Sequence, residues 1–197
     1  MFGASALDPD GPVLGIDPGL TRCGYGAVRR EGPATVAVAC GVMRTPVEDA
    51  LPVRLATLEG ELTTLLAELA PSALSVERLL FQHNVRTAIA VGQASGVVLA
   101  AAARAGIPVT HYSPNEVKLA VTGSGTADKA QVQAMVTRVL SLDAPPGSFD
   151  AADALALALC HLWQAPLHRA TEIADASTAG SGFQLAVERA LAREETS

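Results

Sequence analysis

The stretch Val13-Leu14-Gly15-Ile16-Asp17-Pro18-Gly19-Leu20-Thr21 decides how the rest of the chain is read. Val13, Leu14 and Ile16 around one glycine have the composition of a short buried strand. The run ends on Asp17, where a strand leaves its sheet for solvent. Pro18-Gly19 then signals a turn, because proline presets φ and glycine tolerates positive φ. Thr21 to Val28 resumes as a strand, broken by Gly24 and Gly26 on either side of Tyr25. The whole predicts a hairpin with an acid on one lip. Taken alone, Asp17 has two readings: an acid that opens a turn, as Asp before Pro often does, or a functional group presented at a sheet edge. The remaining sequence weighs between them.

Downstream, short strands and helices alternate. Ala34 to Arg44 is rich in valine and small apolar residues and predicts a third strand after the turn at Gly32-Pro33. Leu51, Leu55, Leu58, Leu62, Leu65, Leu66 and Leu69 recur at helical spacing on one face, and Pro71 marks the end of that helix. Ala73-Leu74-Ser75-Val76-Glu77 is a second short strand ending on a carboxylate. Residues 78–84 read as a loop that carries Leu79, Leu80 and Phe81 where loops are normally polar. Val85 to Ala105 predicts a helix with Gly92, Ala94, Ser95 and Gly96 in its middle. Ile107 to Thr110 predicts a strand ending near His111 and Tyr112, and Pro114 to Val121 a short helix carrying Lys118. Thr126 is placed to cap a helix from Ala127 to Leu140, with Lys129 in its first turn. Ser148 is placed to cap a helix from Phe149 to Trp163, which is apolar nearly all round and so predicted to be buried. The chain divides into an extension over 1–11, a domain over 12–168 and a C-terminal tail over 169–197 with a weak charged helix at Phe183 to Arg193.

Asp150 and Asp153 are the anomaly in the last long helix. At i and i+3 they share a face, with Cβ atoms about 5–6 Å apart. The positive end of the helix offsets their repulsion by about 0.3–1 kcal/mol per charge at exposed sites; a bound cation offsets far more. Capping explains Asp150 better than Asp153, which lies deeper. Asp17 and Glu77 each end a short buried strand. If those strands are neighbours, both carboxylates emerge on one edge and the Asp150–Asp153 helix closes over them. Four carboxylates with little lysine or arginine nearby make an all-oxygen site suited to Mg²⁺ or Mn²⁺. Two such ions, about 3.5–4 Å apart, clamp the attacking and leaving oxygens of a phosphodiester displacement. No side-chain nucleophile is needed, and the chain offers no convincing Ser/His/Asp or Cys/His set. His83, His111, His161 and His168 lack metal-ligand spacing.

Composition sets the class. At 197 residues, with 49% hydrophobic and 17% charged residues, the chain has the means to bury a proper core and is not disordered. No apolar run approaches the ~18 residues of a membrane span. Residues 1–11 lack a basic start followed by an apolar stretch, so they do not read as a signal peptide. Cys23, Cys40 and Cys160 form no CxxC pair and read as reduced, buried residues of a cytoplasmic protein. The net charge of −6 argues at first against nucleic acid. The ends hold most of it: −2 over residues 1–10 and −3 over 170–197, which leaves −1 for 11–169. With the four acids set aside, that middle stretch sums to +3. Local field, not total charge, selects a partner. Lys118 and Lys129 are the only two lysines, and each lies beside the proposed edge.

Several pieces in order carry a resemblance: Gly15-Ile16-Asp17-Pro18-Gly19 with Gly24-Tyr25-Gly26, Val76-Glu77, Asn84 with Gly92-Gln93, Val117-Lys118, Asp128-Lys129-Ala130-Gln131-Val132, and Asp150-Ala151-Ala152-Asp153-Ala154-Leu155. Together they resemble the RuvC family of bacterial Holliday junction resolvases, within the RNase H-like superfamily, over residues 13 to about 162. The resemblance implies an α/β fold with a mixed five-stranded sheet flanked by helices. It implies a homodimer that makes paired nicks in four-way DNA junctions with two Mg²⁺ ions per site (or Mn²⁺), alongside a branch-migration helicase complex. The family's metal-binding carboxylates fall on Asp17, Glu77, Asp150 and Asp153; some members have His at the third position. Lys118 and Lys129 become phosphate contacts. The family's aromatic junction wedge aligns with Leu80 here, with Phe81 next to it, so either can serve. Asn84 and Arg86 complete the expected DNA-contacting set.

Asp17-Pro18-Gly19 followed by Thr21 is also similar to the first phosphate loop of actin-like sugar and acetate kinases, which need two such domains where this chain holds one. A binding module without chemistry gives no reason for four aligned acids. The stripe of small residues at 92–96 leaves one choice open: it faces the protein's own sheet or a symmetry mate.

Overall fold

A computed structural model describes residues 10–78 and 85–164, with side chains from 87 onward in the second stretch. The elements are β1 (Val13–Asp17), β2 (Arg22–Glu31), β3 (Ala34–Arg44), α1 (Leu51–Leu69), β4 (Ala73–Glu77), α2 (Val85–Arg104), β5 (Val109–Tyr112), α3 (Pro114–Thr122) and α4 (Lys129–Val139). A further helix, α5, covers residues 149–164. The five strands form one mixed sheet in the order β3-β2-β1-β4-β5. The β1–β2 and β2–β3 pairs are antiparallel; β1–β4 and β4–β5 are parallel.

Strand alternation gives the sheet two different faces. Leu14 and Ile16 of β1 and Leu74 and Val76 of β4 are fully buried on one face. They form a single cluster with Leu58, Leu62 and Leu66 of α1 and with Ala94, Val98, Ala101 and Ala102 of α2. Gly15 and Asp17, and Ser75 and Glu77, point to the other face. There α5 approaches to backbone distance. A methyl placed on Gly15 would stand 2.0 Å from the Ala154 carbonyl oxygen, one on Gly24 2.2 Å from the Asp150 carbonyl oxygen, and one on Gly26 2.6 Å from the Leu155 amide nitrogen. Gly15 lies opposite Gly26, and Asp17 opposite Gly24, so the three glycines form one patch. Alanine dominates the facing helix, where Ala151, Ala152, Ala154, Ala156 and Ala158 are all buried.

Helix ends follow local chemistry. The α1 helix stops at Ala70, which takes a left-handed conformation (φ 42°) before Pro71. Ser113 and Glu116 form a capping box that starts α3 one residue after β5. The α4 cap is Asp128, in a capping box with Gln131, and not Thr126; the carboxylate reaches the Gln131 amide at 2.8 Å. Ser148 does cap α5, its Oγ accepting from Ala151 N at 3.2 Å.

The fifth predicted strand begins two residues later than expected. It spans Val109–Tyr112 and not Ile107 to Thr110, because parallel pairing with β4 runs from Leu74–Val109 to Glu77–Tyr112. Cys23 and Cys160 are buried, but Cys40 is exposed on the edge strand β3. Burial pushes the Cys23 and Cys160 thiols up to about 12, which keeps them inert. Within α2, Thr87–Arg104 matches a membrane span by length and mean hydropathy (1.3), contrary to the expectation of no such run. Here the helix contributes core: Ala94, Ser95, Val98, Ala101 and Ala102 are buried while Ile89 is exposed. The small-residue stripe is therefore split. Ala94 and Ser95 face the protein's own core, and Gly96 faces open space.

Candidate active site

Asp17 and Glu77 end adjacent parallel strands. The β1–β4 register pairs Ile16 with Val76, so the two acids stand side by side at the same sheet edge and on the same face. Both line a cavity of about 280 Å³ with Lys118 of α3, Lys129 of α4 and Asp153 of α5, walled by Val117, Val132 and Leu157. Hairpin geometry holds the loop after Asp17. Thr45 Oγ1 donates to the Leu20 carbonyl at 2.5 Å, and Arg54 donates from Nε to Thr45 Oγ1 at 2.9 Å and from Nη2 to Thr21 Oγ1 at 2.7 Å.

The acids act on one another. Burial, then the charges of Glu77 and Asp153, push the Asp17 carboxyl up to about 7, against a smaller opposing pull from Lys129. Glu77 is raised by burial and by Asp153, while Lys129 and Lys118 pull it down. Lys129 is raised by its hydrogen bond to Asp153, whose Oδ2 accepts from Nζ at 2.9 Å. Asp150 lies outside the cavity lining, over Gly24, and pairs with Arg22 at 2.6 Å. Basic side chains are therefore not scarce here, as the sequence suggested. Arg22 and Lys129 each hold one of the four acids.

Those pairs bear on metal binding. Among the described residues, no three Asp, Glu, His or Cys side chains stand together closely enough to enclose a cation. The donor set nevertheless fits one. It is all carboxylate oxygen, and burial together with the charges of Glu77 and Asp153 pushes Asp17 up to about 7. A hard divalent cation offsets those charges.

Residues 13–161 match the family model for crossover junction endodeoxyribonuclease RuvC. The chain belongs to the RuvC family. A family member from Salinispora arenicola is 55% identical over 172 residues, covering 86% of this chain and 98% of that protein. The solved structure of Thermus thermophilus RuvC in complex with Holliday junction substrate is 36% identical, covers 80% of this chain and 96% of that one, and superposes with a TM-score of 0.76. The yeast mitochondrial Holliday junction resolvase Ydc2, at 18% identity, 84% and 85% coverage and a TM-score of 0.59, shares the fold. The mixed sheet and its flanking helices are thus those of the RNase H-like resolvases, and the family is one of metal-dependent nucleases.

Of the residues singled out from sequence, Asp17, Glu77, Asp153, Lys118 and Lys129 meet in one cavity, and Asp150 lies beside it on Gly24. Leu80, Phe81 and Asn84 lie outside the described residues, as do residues 1–9 and the C-terminal tail; Arg86 is in α2, its side chain outside the description. His161 is structural: its Nδ1 lies 3.0 Å from the Tyr112 hydroxyl in a buried pair. Sequence reasoning missed Arg22 and Arg54. Arg22 was legible by parity, since it shares a strand face with Gly24 and Gly26. Arg54 was not, because it joins segments 9 and 33 residues away.

Proposed function

We propose that this chain is an endodeoxyribonuclease that resolves four-way DNA junctions by metal-dependent phosphodiester hydrolysis, with Asp17, Glu77, Asp150 and Asp153 as metal ligands. The observation that carries this reading is the setting of Asp17: a carboxyl at a sheet edge, pushed up to about 7 first by burial and then by Glu77 and Asp153, in a cavity that the chain's only two lysines also line. A folded protein keeps such an arrangement where a cation and an anionic substrate belong. Divalent cations held by these four acids, two per site and Mg²⁺ or Mn²⁺ by donor type, would lower the pKa of an attacking water and offset charge on the leaving oxygen. Asp17 and Glu77, fixed by neighbouring strands, provide the rigid half of the ligand set. Asp150 and Asp153 provide the half carried by α5. Lys118 and Lys129 flank the cavity from α3 and α4, where their ammonium groups attract a phosphate and set the strand's approach.

A four-way junction is close to two-fold symmetric, and its resolution takes two nicks in opposed strands. One carboxylate site makes one nick, so a C₂ homodimer supplies the pair. The outward side of α2, with Ile89 56% exposed and open space beside Gly96, is the surface this reading assigns to the second copy.

The test is cleavage of a synthetic four-way junction against a linear duplex of the same sequence, with divalent metal and with chelator. Paired nicks in the junction alone, abolished by chelation without unfolding, are expected. Metal-independent cleavage, or equal cutting of the linear duplex, would sink the reading. Mixing wild type with excess Asp17→Asn separates the dimer from the chemistry: junctions nicked on one strand support it, and undiminished paired cleavage removes it.

A further inference from the structure

Arg22 opens β2 with its side chain on the α5 face, in the same parity as Gly24 and Gly26. Its guanidinium is turned onto a single carboxylate oxygen. Nε donates to Asp150 Oδ2 at 2.6 Å, and Nη2 stands 2.6 Å from the same Oδ2. An arginine fork commonly takes both oxygens of a carboxylate side by side; here both of its closest contacts converge on Oδ2. The other end of Asp150 is also held, because its Cβ and carbonyl lie against the bare backbone of Gly24. Asp150 is therefore pinned at both ends, through Oδ2 and through its backbone.

Lys129 and Asp153 make a contrasting pair. The ammonium is a rotatable point charge on a side chain 64% exposed, against 39% for Arg22. Lys129 can leave its partner for a phosphate. Arg22 holds its partner by two donors in a rigid plane.

We infer that Arg22 is a positioning residue: by holding Asp150 Oδ2 it keeps the carboxylate in the orientation in which it would bind a divalent cation. This rests on the reading of Asp150 as a metal ligand. Without Arg22, repulsion from Asp17 and Asp153 leaves the Asp150 carboxylate to swing toward water. The guanidinium also repels a cation, but across an intervening carboxylate and in contact with solvent, where that repulsion is screened. Loss of an outer partner of a ligating group typically lowers metal affinity about 10–100-fold, so orientation outweighs repulsion.

Mn²⁺ titration of the full chain without DNA, with free Mn²⁺ read by electron paramagnetic resonance, tests this. Arg22→Ala is expected to weaken Mn²⁺ binding by about 10–100-fold, and Arg22→Lys to recover part of it. In an Asp150→Asn background, Arg22→Ala is expected to add nothing, since the group it positions is gone. Unchanged or tighter Mn²⁺ binding by folded Arg22→Ala overturns the proposal, as does an equal loss in both backgrounds. Should Arg22→Ala fail to fold, Arg22→Gln against Arg22→Lys carries the same comparison. If Asp150→Asn itself leaves Mn²⁺ affinity unchanged, the ligand assignment falls and this inference with it. If Asp150→Asn weakens binding and the Arg22 variants do not, only the inference falls.

Discussion

On one face of the sheet, Leu14, Ile16, Leu74 and Val76 meet Leu58, Leu62, Ala94 and Val98, and side chains fill the space between layers. On the other, Gly15, Gly24 and Gly26 meet the backbone of α5 itself. The first face is built by burying area, at roughly 25 cal/mol per Å², and any residue of similar size and shape will do. The second is built by removing side chains. Its tolerance is set in tenths of an ångström, because backbone cannot swing aside as a side chain can. The close approach brings Asp150 and Asp153 to the edge where Asp17 and Glu77 emerge. Stability and chemistry are thus divided between the two sides of the same strands.

Exchanging acids for amides breaks the comparison most sharply. Asp17→Asn, Glu77→Gln and Asp153→Asn are each expected to abolish junction cleavage in a single-turnover assay while a gel shift still shows binding. Leu62→Ala, on the opposite face, is expected to cost about 2–5 kcal/mol of stability and leave cleavage per folded molecule intact. Wild-type cleavage by any of the amide variants would remove that acid from the site.

Next in size is the glycine patch. Gly15→Ala places a methyl 2.0 Å from a backbone carbonyl oxygen. Overpacking usually costs about 1–3 kcal/mol, and this contact belongs at the top of that range or above it. Urea melts should show the loss, with cleavage falling in step; a neutral Gly15→Ala would mean that α5 sits farther from the sheet.

The third effect is a pH dependence. Folded Asp17 keeps its proton up to about pH 7, whereas the unfolded carboxyl loses it near 3.8. The contribution is fully present below the lower value. Between the two, the unfolded state sheds its proton first, so stability falls as pH rises. Melts without divalent metal should show Asp17→Asn gaining on wild type across that window. Parallel profiles would show that Asp17 is neither as buried nor as crowded as the fold makes it.

Lys118→Ala and Lys129→Ala come fourth. Each is expected to flatten the salt dependence of DNA binding by about 0.9 in log–log slope per lost phosphate contact on duplex DNA. Unchanged slopes would return both lysines to the ordinary surface. The smallest effect is the control for the second. Gly60, within α1, has nothing within 4 Å of an added methyl, so Gly60→Ala should stabilise by up to about 1 kcal/mol.

Much of the fold was legible. The third strand, the Glu77 strand and the buried last helix follow from apolar runs, periodicity and capping residues, which act over a few residues. Thr126 was the wrong cap because Asp128, two residues on, offers a carboxylate and a Gln131 partner that Thr126 lacks. The strand around Ile107 was misplaced because β5 is short and its limits are set by pairing with β4, far away in sequence.

What the sequence determined by itself is the list of parts: two strands ending in acids, a helix opening with two more, two lone lysines, and glycines that interrupt the second strand. These are local facts of residue type and period. Tertiary structure alone decided how the charges pair. Arg22 reaches across 128 residues to Asp150, and Lys129 across 24 to Asp153. No local rule foretells such partners, because an ion pair depends on where two elements land, and here that is set by three missing side chains on the sheet.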